Sequence, residues 1–219
     1  MNSQNASVKN GVLVVGSILV IAASSFWIYR KHFAAPRINV ALHQAVGRVM
    51  AEETAGLLNN EGKIVVIAVE SPELRVQLEA FEKTLGQFKK VTIKKTYMVD
   101  TENKPKYGPG SGLSGPRLVR IVNKNPNADA IVSFIGAADI SEAEIGQLQA
   151  RPRLIAESRS AENLKTLFDK QLLHVAVVSR FQFPAPVEGN PGTLRQWFDK
   201  RFQIVRPESA ATLPSSAAE

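Results

Sequence analysis

The sequence predicts an α/β protein with a single doubly wound, mostly parallel sheet of five to six strands in flavodoxin-like order, plus one N-terminal transmembrane helix. Short apolar runs such as KIVVIAVE, ADAIVSFI and LLHVAVV are typical of strands buried on both faces. They alternate with segments that have apolar residues at helical spacing, which favours parallel strands joined by helices. The third observation is an uncharged stretch of 19 residues near the N terminus.

Composition limits the size of the fold and excludes several classes of site. The 219 residues, 44% of them hydrophobic, suffice for one packed domain plus an appendage. Because there is no cysteine, disulfides, thiol nucleophiles and cysteine-bound metals are excluded. The three histidines lie far apart and none has acidic residues at metal-ligand spacing. The sequence therefore predicts no metal site, no cofactor and no catalytic residue.

The net charge of +7 is concentrated near the N terminus. Up to Ala51 there are five basic residues and no acidic one, which leaves 22 basic and 20 acidic residues for the rest of the chain. A nucleic-acid-binding protein needs a basic face on its folded domain, so we expect no nucleic-acid partner. A basic segment next to an apolar one favours contact with membrane lipid.

The apolar stretch Gly11–Tyr29 follows a short tail of residues 1–10 and predicts a transmembrane helix. A helix of this length, at about 1.5 Å per residue, spans roughly 29 Å, close to the thickness of a bilayer core. Trp27 and Tyr29 lie at its C-terminal end, where aromatic residues meet the lipid headgroups. The alternative is a cleaved signal peptide, since the small residues Ala22–Ser25 suit a cleavage site.

Residues 30–62 are predicted to form a basic juxtamembrane segment and an amphipathic helix from Arg37 to Asn59. The α/β domain, residues 63–207, begins with the strand Lys63–Glu70. A helix follows up to Phe88, with Ser71 as N-cap and a proline in its first turn.

The strand Lys90–Val99 is predicted at an edge of the sheet, because Lys94 and Lys95 interrupt its apolar pattern. An outermost second strand gives the order 2-1-3-4-5. Helices and strands then alternate over helix Gly115–Asn125, strand Ala128–Ile135, a helix capped by Ser141, strand Arg153–Ala156, a helix capped by Ser160, strand Leu172–Val178, helix Thr193–Arg201 and strand Phe202–Arg206. Residues 208–219 are predicted to be a disordered tail.

A ligand site is predicted at the carboxyl ends of the strands, where doubly wound folds bind their ligands. Small or polar residues follow the strands there and leave room for a ligand: Ser71, Gly136, Ala137, Asp139 and Ser158. Asp139 has an alternative interpretation, since it also precedes the helix capped by Ser141 and is a residue type that starts helices.

The glycine-rich loop Gly108–Gly115 is a second candidate, for an anion. It precedes a helix, and helix N-terminal amides together with an arginine can hold a phosphate or a carboxylate. The residues concerned are Gly110, Ser111, Gly112, Ser114 and Arg117. The loop lacks the lysine of a P-loop and the glycine spacing of a dinucleotide-binding turn, so a flexible surface loop is the alternative.

The segments GKIVVIAVESPELRVQLEAFEKTLGQF and NPNADAIVSFIG resemble one lobe of a type I periplasmic-binding-protein fold, as in ABC-transporter substrate-binding proteins. The resemblance extends over about Gly62 to Ser179 and includes no diagnostic motif. The family has two lobes that close on a ligand, whereas this sequence provides one. The resemblance implies export, binding rather than catalysis, and association between lobes.

The leading hypothesis is a membrane-anchored, non-enzymatic binding or assembly module, a single-pass accessory subunit with membrane lipid and a membrane protein as partners. A small-ligand sensor or solute-binding lobe, with a small-molecule ligand, is the alternative. An enzyme acting on a phosphorylated substrate is less favoured. We expect the protein in a bacterial cell membrane with the α/β domain outside the cytoplasm, although the count of Lys and Arg near the apolar stretch favours the opposite orientation.

Overall fold

A computed structural model describes residues 3–29, 38–99, 112–158, 164–180 and 192–212, with side chains described from residue 15 to residue 210 within these ranges. The chain divides into two units, Met1–Ile38 and Asn39–Glu219.

Within its described residues, the first unit contains one helix, α1, from Ser3 to Ile28. It begins earlier than the predicted helix and includes polar residues up to Asn10. Its large apolar side chains from Val15 to Ile28 are between 47% and 66% exposed. Among the described residues, no helix combines the length with the apolar character that crossing a membrane requires. The sequence therefore predicts the presence of this helix correctly, but the structure does not support the prediction that it spans a membrane.

In the second unit, the described residues form one sheet of six strands in the order β2-β1-β3-β4-β5-β6. The first five strands are parallel, which confirms the mostly parallel sheet and the predicted order. The strands are β1 (Glu61–Ala68), β2 (Lys90–Met98), β3 (Ala130–Ser133), β4 (Arg153–Ser158), β5 (Val175–Ser179) and β6 (Phe202–Val205).

The edge position of β2 is as predicted, and its two lysines have distinct roles. Val65 of β1 pairs with Lys95, whereas the preceding Ile64 pairs with Ile93, so Lys94 is an extra residue in a β-bulge. Both lysines are exposed. A bulge and exposed positive charge on an edge strand both oppose pairing with the edge of another sheet.

Helices cover both faces of the sheet: α2 (Val40–Leu57), α3 (Pro72–Leu85), α4 (Gly115–Lys124), α5 (Glu142–Ile145), α6 (Leu164–Asp169) and α7 (Leu194–Arg201). Their starts follow local capping chemistry. Ser71 accepts a hydrogen bond from the backbone N–H of Leu74, and Ser141 forms a capping box with Glu144. The predicted cap Ser160 lies outside the described residues.

The core has two layers, one on each face of the sheet. Helices α2, α3 and α7 pack on one face, where Met50, Phe81 and Phe198 are buried, and α4 and α6 pack on the other. α2 and α3 approach closely and run in the same direction, since His43 contacts Gln77 and Gly47 lies against Gln77 and Ala80. Phe198 of α7 is buried against the sheet, while Trp197 is only half-buried.

The sequence prediction left the direction of the last strand open and expected a disordered tail from residue 208 onward. β6 pairs with β5 in antiparallel fashion, with Ser179 opposite Phe202. This follows because α7 ends directly at Phe202, at the carboxyl end of β5, so β6 can only run back along its neighbour. A 3₁₀ helix, Pro207–Thr212, occupies the start of the predicted disordered tail and buries Ala210. Residues 213–219 lie outside the described part.

Candidate functional site

The carboxyl ends of the parallel strands form one edge of the sheet, and the structure brings most of the predicted ligand-site residues to it. β1, β3, β4 and β5 are consecutive neighbours, about 4.8 Å apart. They are followed or ended by Ser71, Gly136, Ser158 and Ser179, all half-buried. The hydroxyl of Ser71 also caps α3, with 3.1 Å between its oxygen and the nitrogen of Leu74.

The turn after β3 is fixed by its own hydrogen bonds. The hydroxyl of Ser133 donates to the carbonyl oxygen of Gly136 at 2.6 Å, and its oxygen accepts from the backbone N–H of Ile135 at 3.4 Å. Gly136 has a φ of +105°, a conformation that side chains disfavour, so glycine is required here. Ser133 is buried and committed to the turn, and Gly136 and Ala137 thus present a small, rigid surface at the edge.

Asp139 lies next to this turn and exposes its side chain. Its backbone forms a parallel bridge with Ser114, and its N–H donates to the carbonyl oxygen of Leu113 at 3.3 Å. The N-cap of α5 is Ser141, whose hydroxyl and backbone N–H both interact with Glu144. The backbone of Asp139 is therefore held by the bridge, its side chain is left exposed, and the helix start is provided by other residues.

β4 and β5 add charged groups to the edge. β4 extends to Ser158, beyond the predicted end at Ala156, so Glu157 pairs with Val177 in the sheet and is half-buried. Arg180, directly after β5, donates from Nε to the carbonyl oxygen of Phe202 at 3.1 Å. Sequence reasoning missed Glu157 as a site residue because the apolar pattern ends two residues before the strand does.

The predicted anion site is only partly within the described residues. Gly110 and Ser111 lie outside them, while Gly112, Ser114 and Arg117 are described. Ser114 occupies the N-cap position of α4 without a side-chain capping bond. Gly112 lies against the turn after β3, since a Cβ on it would be 3.4 Å from the carbonyl oxygen of Ile135. Anion binding by this loop stays a prediction.

Two further kinds of site can be assessed. The described residues contain no group of three His, Cys, Asp or Glu side chains that could hold a metal ion. An apolar cavity of about 30 Å³, lined by Leu118, Val122, Ile131, Leu148 and Leu154 among others, lies towards the opposite edge. That volume is about the size of one water molecule, so the cavity is too small for a metabolite.

Comparison with known proteins identifies the fold. No family model matches the chain and no curated protein does. Among solved structures, an arabinose-binding protein from Geobacillus stearothermophilus is 16% identical with a TM-score of 0.55, covering 78% of this chain and 63% of its own. A sugar-binding protein of a sugar ABC transporter from Bacillus halodurans is 15% identical with a TM-score of 0.55, covering 78% and 64%.

A third similar structure is the binding-protein component of an arabinose ABC transporter from Shewanella sp. ANA-3, with 8% identity, a TM-score of 0.51 and coverage of 78% of this chain and 59% of its own. This chain spans less than two thirds of the length of each of the three. Identities this low establish the fold alone, and the predicted resemblance to type I periplasmic binding proteins is confirmed at that level.

Proposed function

We propose that the chain is a solute-binding module for a small polar molecule, with monosaccharides as the first class to test. The observation that carries the proposal is the convergence of small and polar residues from four neighbouring strands on one edge of the sheet. The solved structures with this fold named above are described as binding arabinose or transporting sugars, which supports the choice of class. We propose binding and not catalysis because the sequence predicts no catalytic residue at this edge.

The chemistry of the edge suits a molecule with several hydroxyl groups. Asp139 and Glu157 offer carboxylate acceptors, Arg180 is a donor, and the hydroxyls of Ser158 and Ser179 can do both. Hydrogen bonds to charged groups are stronger than those between neutral groups, so a few of them can orient a sugar. The small residues Gly136 and Ala137 allow a ring to approach the backbone closely.

A thermal-shift series tests the proposal. The purified chain is heated with a panel of pentoses and hexoses, and a sugar at 100 times its dissociation constant should stabilise the fold by about 2.7 kcal/mol. Asp139→Asn should reduce that stabilisation, whereas Glu79→Gln, which removes an exposed carboxylate from the middle of α3, should leave it unchanged. Unchanged melting temperatures across the whole panel would rule out the sugar class.

Membrane association is a second part of the proposal and depends on α1. Its apolar side chains, Ile18 and Trp27 among them, are exposed to water at about half to two thirds of their surface. Exposed apolar area costs about 25 cal/mol per Å², so contact with lipid or with a membrane protein would be favourable. Contact is sufficient for this proposal, and a complete membrane span is not required.

Flotation tests that part. The full chain, mixed with vesicles of phosphatidylcholine and phosphatidylglycerol, should float with the lipid, and Ile18→Ser combined with Trp27→Ser should reduce the floating fraction. A chain that stays at the bottom of the gradient contradicts membrane contact.

We further propose that the α/β unit lies outside the cytoplasm; protease added to intact cells should then cleave it, and full protection would contradict that orientation.

A further inference from the structure

Basic residues are concentrated in two elements that follow each other in the chain, β2 and α4. Together these elements contain six basic residues and no acidic one. From Glu52 onward the chain has 22 basic and 20 acidic residues, so the part outside these two elements has 16 basic and 20 acidic residues. The near-neutral charge from Glu52 onward is therefore the sum of a basic region and a net negative remainder.

β2 and α4 are also neighbours in the fold. The side-chain amide of Asn125, which directly follows α4, donates to the hydroxyl oxygen of Tyr97 in β2 at 2.9 Å. Nζ of Lys95 lies 4.7 Å from the centre of the same tyrosine ring. Because Lys124 directly precedes Asn125, the positive charges of β2 lie next to the last turn of α4.

Five exposed cations form what we name the basic surface: Lys63, Lys94, Lys95, Arg120 and Lys124. Lys63 lies on the same face of the sheet as Lys95, because it stands two residues before Val65, the partner of Lys95 in β1. Arg120 and Lys124 are one turn apart on the exposed side of α4. Among the described residues, none of the five cations forms an ion pair.

The carboxylates at the starts of the neighbouring strands are engaged within the chain. Oδ2 of Asp129 accepts a hydrogen bond from the backbone N–H of Lys63 at 2.7 Å. Glu61 pairs with Lys90, the first residue of β2, at 3.1 Å. Even when both carboxylates are counted, cations outnumber them on this surface, so its net charge is positive.

Two further segments border α4. Residues 100–111, which join β2 to α4, lie outside the described residues, and their sequence is neutral, with two acidic and two basic residues. Asp139 and Glu144 lie beside the N-terminal end of α4, next to Ser114 and Gly115 respectively. The basic surface is therefore limited to the C-terminal half of α4 and to β1 and β2, and it excludes the first turn of α4.

We propose that the basic surface binds the headgroups of anionic phospholipids, so that the α/β unit itself contacts a bilayer. The proposal rests on the membrane contact proposed above and adds the lipid class that the unit recognises. The five cations are exposed and none of them lines the cavity beside Leu118, which fits an extended anionic surface better than one small anion. Each Lys or Arg close to an anionic bilayer strengthens binding about fivefold, and salt weakens that attraction.

An apolar side chain next to the basic surface favours lipid over nucleic acid. Met98, the last residue of β2, is 54% exposed, the highest value among the large apolar side chains described in the second unit. Proteins that lie on bilayers combine cations, which bind the headgroups, with apolar side chains that enter the boundary of the acyl chains. Nucleic acid offers phosphates for the cations, but it stacks its bases on aromatic side chains, and an exposed methionine is not a stacking platform.

Flotation of the full chain with two kinds of vesicle tests the proposal. Vesicles of phosphatidylcholine and phosphatidylglycerol should bind the chain more tightly than phosphatidylcholine alone, and added salt should remove the difference. Arg120→Gln/Lys124→Gln should weaken binding to the anionic vesicles about 25-fold, since two attractions of about fivefold are lost. All chains also have Ile18→Ser and Trp27→Ser, so that α1 does not dominate flotation.

Arg48→Gln/Lys83→Gln is the matched control. It removes the same number of exposed charges, but from α2 and α3, which cover the other face of the sheet. Binding to the anionic vesicles should therefore change less than about twofold, and circular dichroism confirms that both double variants are folded. Equal losses in the two double variants would overturn the proposal, because net charge and not the basic surface would then cause the binding.

A fluorescent label locates the contact. The chain has no native cysteine, so Thr92→Cys, at an exposed residue of β2 that pairs with Lys63, takes a single fluorophore. A quencher attached to lipid in anionic vesicles should quench this label but not one at Glu79→Cys, an exposed position in the middle of α3. Equal quenching at the two positions, or none at Thr92→Cys, overturns the proposal.

The outcomes separate this proposal from the contact through α1. A chain with native α1 that floats equally on neutral and anionic vesicles, without quenching at Thr92→Cys, retains the contact through α1 and rejects the basic surface. Quenching that depends on phosphatidylglycerol, in a chain that does not float on neutral vesicles, retains the basic surface and rejects α1. A DNA duplex that displaces the vesicles at equal phosphate concentration assigns the surface to nucleic acid and overturns the lipid proposal.

Discussion

The carboxylate of Glu144 occupies the space that a side chain at Gly115 would need. A Cβ on Gly115 would contact Oε2 of Glu144 and would lie 2.8 Å from its carboxyl carbon and 2.7 Å from the carbonyl oxygen of Asp139. Gly115 is the first residue of α4, so a negative charge already lies at the N-terminus of that helix. Hydrogen bonds from the backbone N–H and then the hydroxyl of Ser141 lower the pKa of Glu144, which keeps it ionised.

This contact bears on the anion-binding hypothesis for the glycine-rich loop. A phosphate at the N-terminus of α4 would meet the Glu144 carboxylate, and the repulsion between two anions opposes binding. The described residue that would attract it is Arg117, which is half-buried in the first turn. The geometry therefore favours an intramolecular role for this helix start, in which α5 is held against α4.

Gly115→Ala should destabilise the fold by about 2 kcal/mol, because either the capping box of α5 or the backbone at Asp139 must move. Denaturant unfolding followed by circular dichroism measures the change. Gly146→Ala is the matched control: its Cβ would find no atom closer than 3.4 Å and its backbone is already helical, so the free energy of unfolding should stay within about 0.5 kcal/mol. Equal effects from the two variants would contradict the contact.

Gly47 allows the close approach of α2 and α3. A Cβ there would collide with the backbone carbonyl oxygen of Gln77, with the carbonyl carbon at 2.9 Å and the Ala80 Cβ at 3.1 Å. Since backbone cannot move aside as a side chain can, Gly47→Ala should cost about 3 kcal/mol of unfolding free energy. Gly56→Ala lies in the same helix with open space around its Cβ and should instead stabilise by up to about 1 kcal/mol. If Gly56→Ala also lowers the free energy of unfolding, the loss in Gly47→Ala cannot be assigned to the close contact between α2 and α3.

The order of the sheet could be predicted from sequence because local signals agree with the global fold. Each buried strand has a continuous apolar run, and the exposed Lys94 and Lys95 mark an edge. The direction of β6 could not be predicted in this way. Whether Phe202–Val205 runs parallel or antiparallel depends on the edge at which α7 ends, and no residue within the strand encodes that.

The candidate site was predictable to a similar degree. The rule that ligands bind at carboxyl ends of strands selects Ser71, Gly136 and Ser158, and the structure brings these to one edge. The contact between Gly115 and Glu144 was not predictable, because it joins residues from two helices whose relative position only tertiary packing defines. The sequence of a glycine-rich loop does not show whether the glycines leave room for a bound anion or for a carboxylate of the same chain, as Gly115 does for Glu144.

An ion pair between Glu53 and Arg206 connects α2 to the residue that directly follows β6. Nη2 of Arg206 lies 2.8 and 2.6 Å from the two carboxylate oxygens of Glu53, whose side chain is only 16% exposed. Arg206→Ala would leave a largely buried carboxylate without its cation, so we expect a loss of about 2 kcal/mol, measured by denaturant unfolding.

The exposed pair Arg48–Glu52 in the same helix serves as the comparison. Its side chains are 56% and 39% exposed, and Arg48→Ala should cost at most about 0.5 kcal/mol. Combining Glu53→Gln with Arg206→Ala should recover part of the loss, because the uncompensated charge is then removed. If the double variant is no more stable than Arg206→Ala alone, the loss comes from packing of the arginine and not from the ion pair.

His174 connects the stability of the sheet to pH. Its Nδ1 accepts a hydrogen bond from the backbone N–H of Leu154 at 3.3 Å, so the neutral ring is bound between β4 and β5. Burial, and after it the positive charge of Arg153, lower the pKa of His174 below its usual value of 6.5, against the raising effect of the Leu172 backbone. Protonation would remove the acceptor and add a charge beside Arg153.

The direction of the pH effect follows from that pKa. The unfolded chain takes up the His174 proton at a higher pH than the folded chain, so this histidine contributes stability that is present above about pH 6.5 and is lost as the pH falls through the lowered value. The denaturant midpoint should therefore drop between about pH 7.5 and about pH 5. His174→Asn retains an acceptor near Nδ1 but cannot titrate, so its midpoint should fall less over the same interval. Equal falls in both proteins would show that other groups cause the acid sensitivity, and an NMR titration of His174 with a pKa at or above 6.5 would contradict the prediction directly.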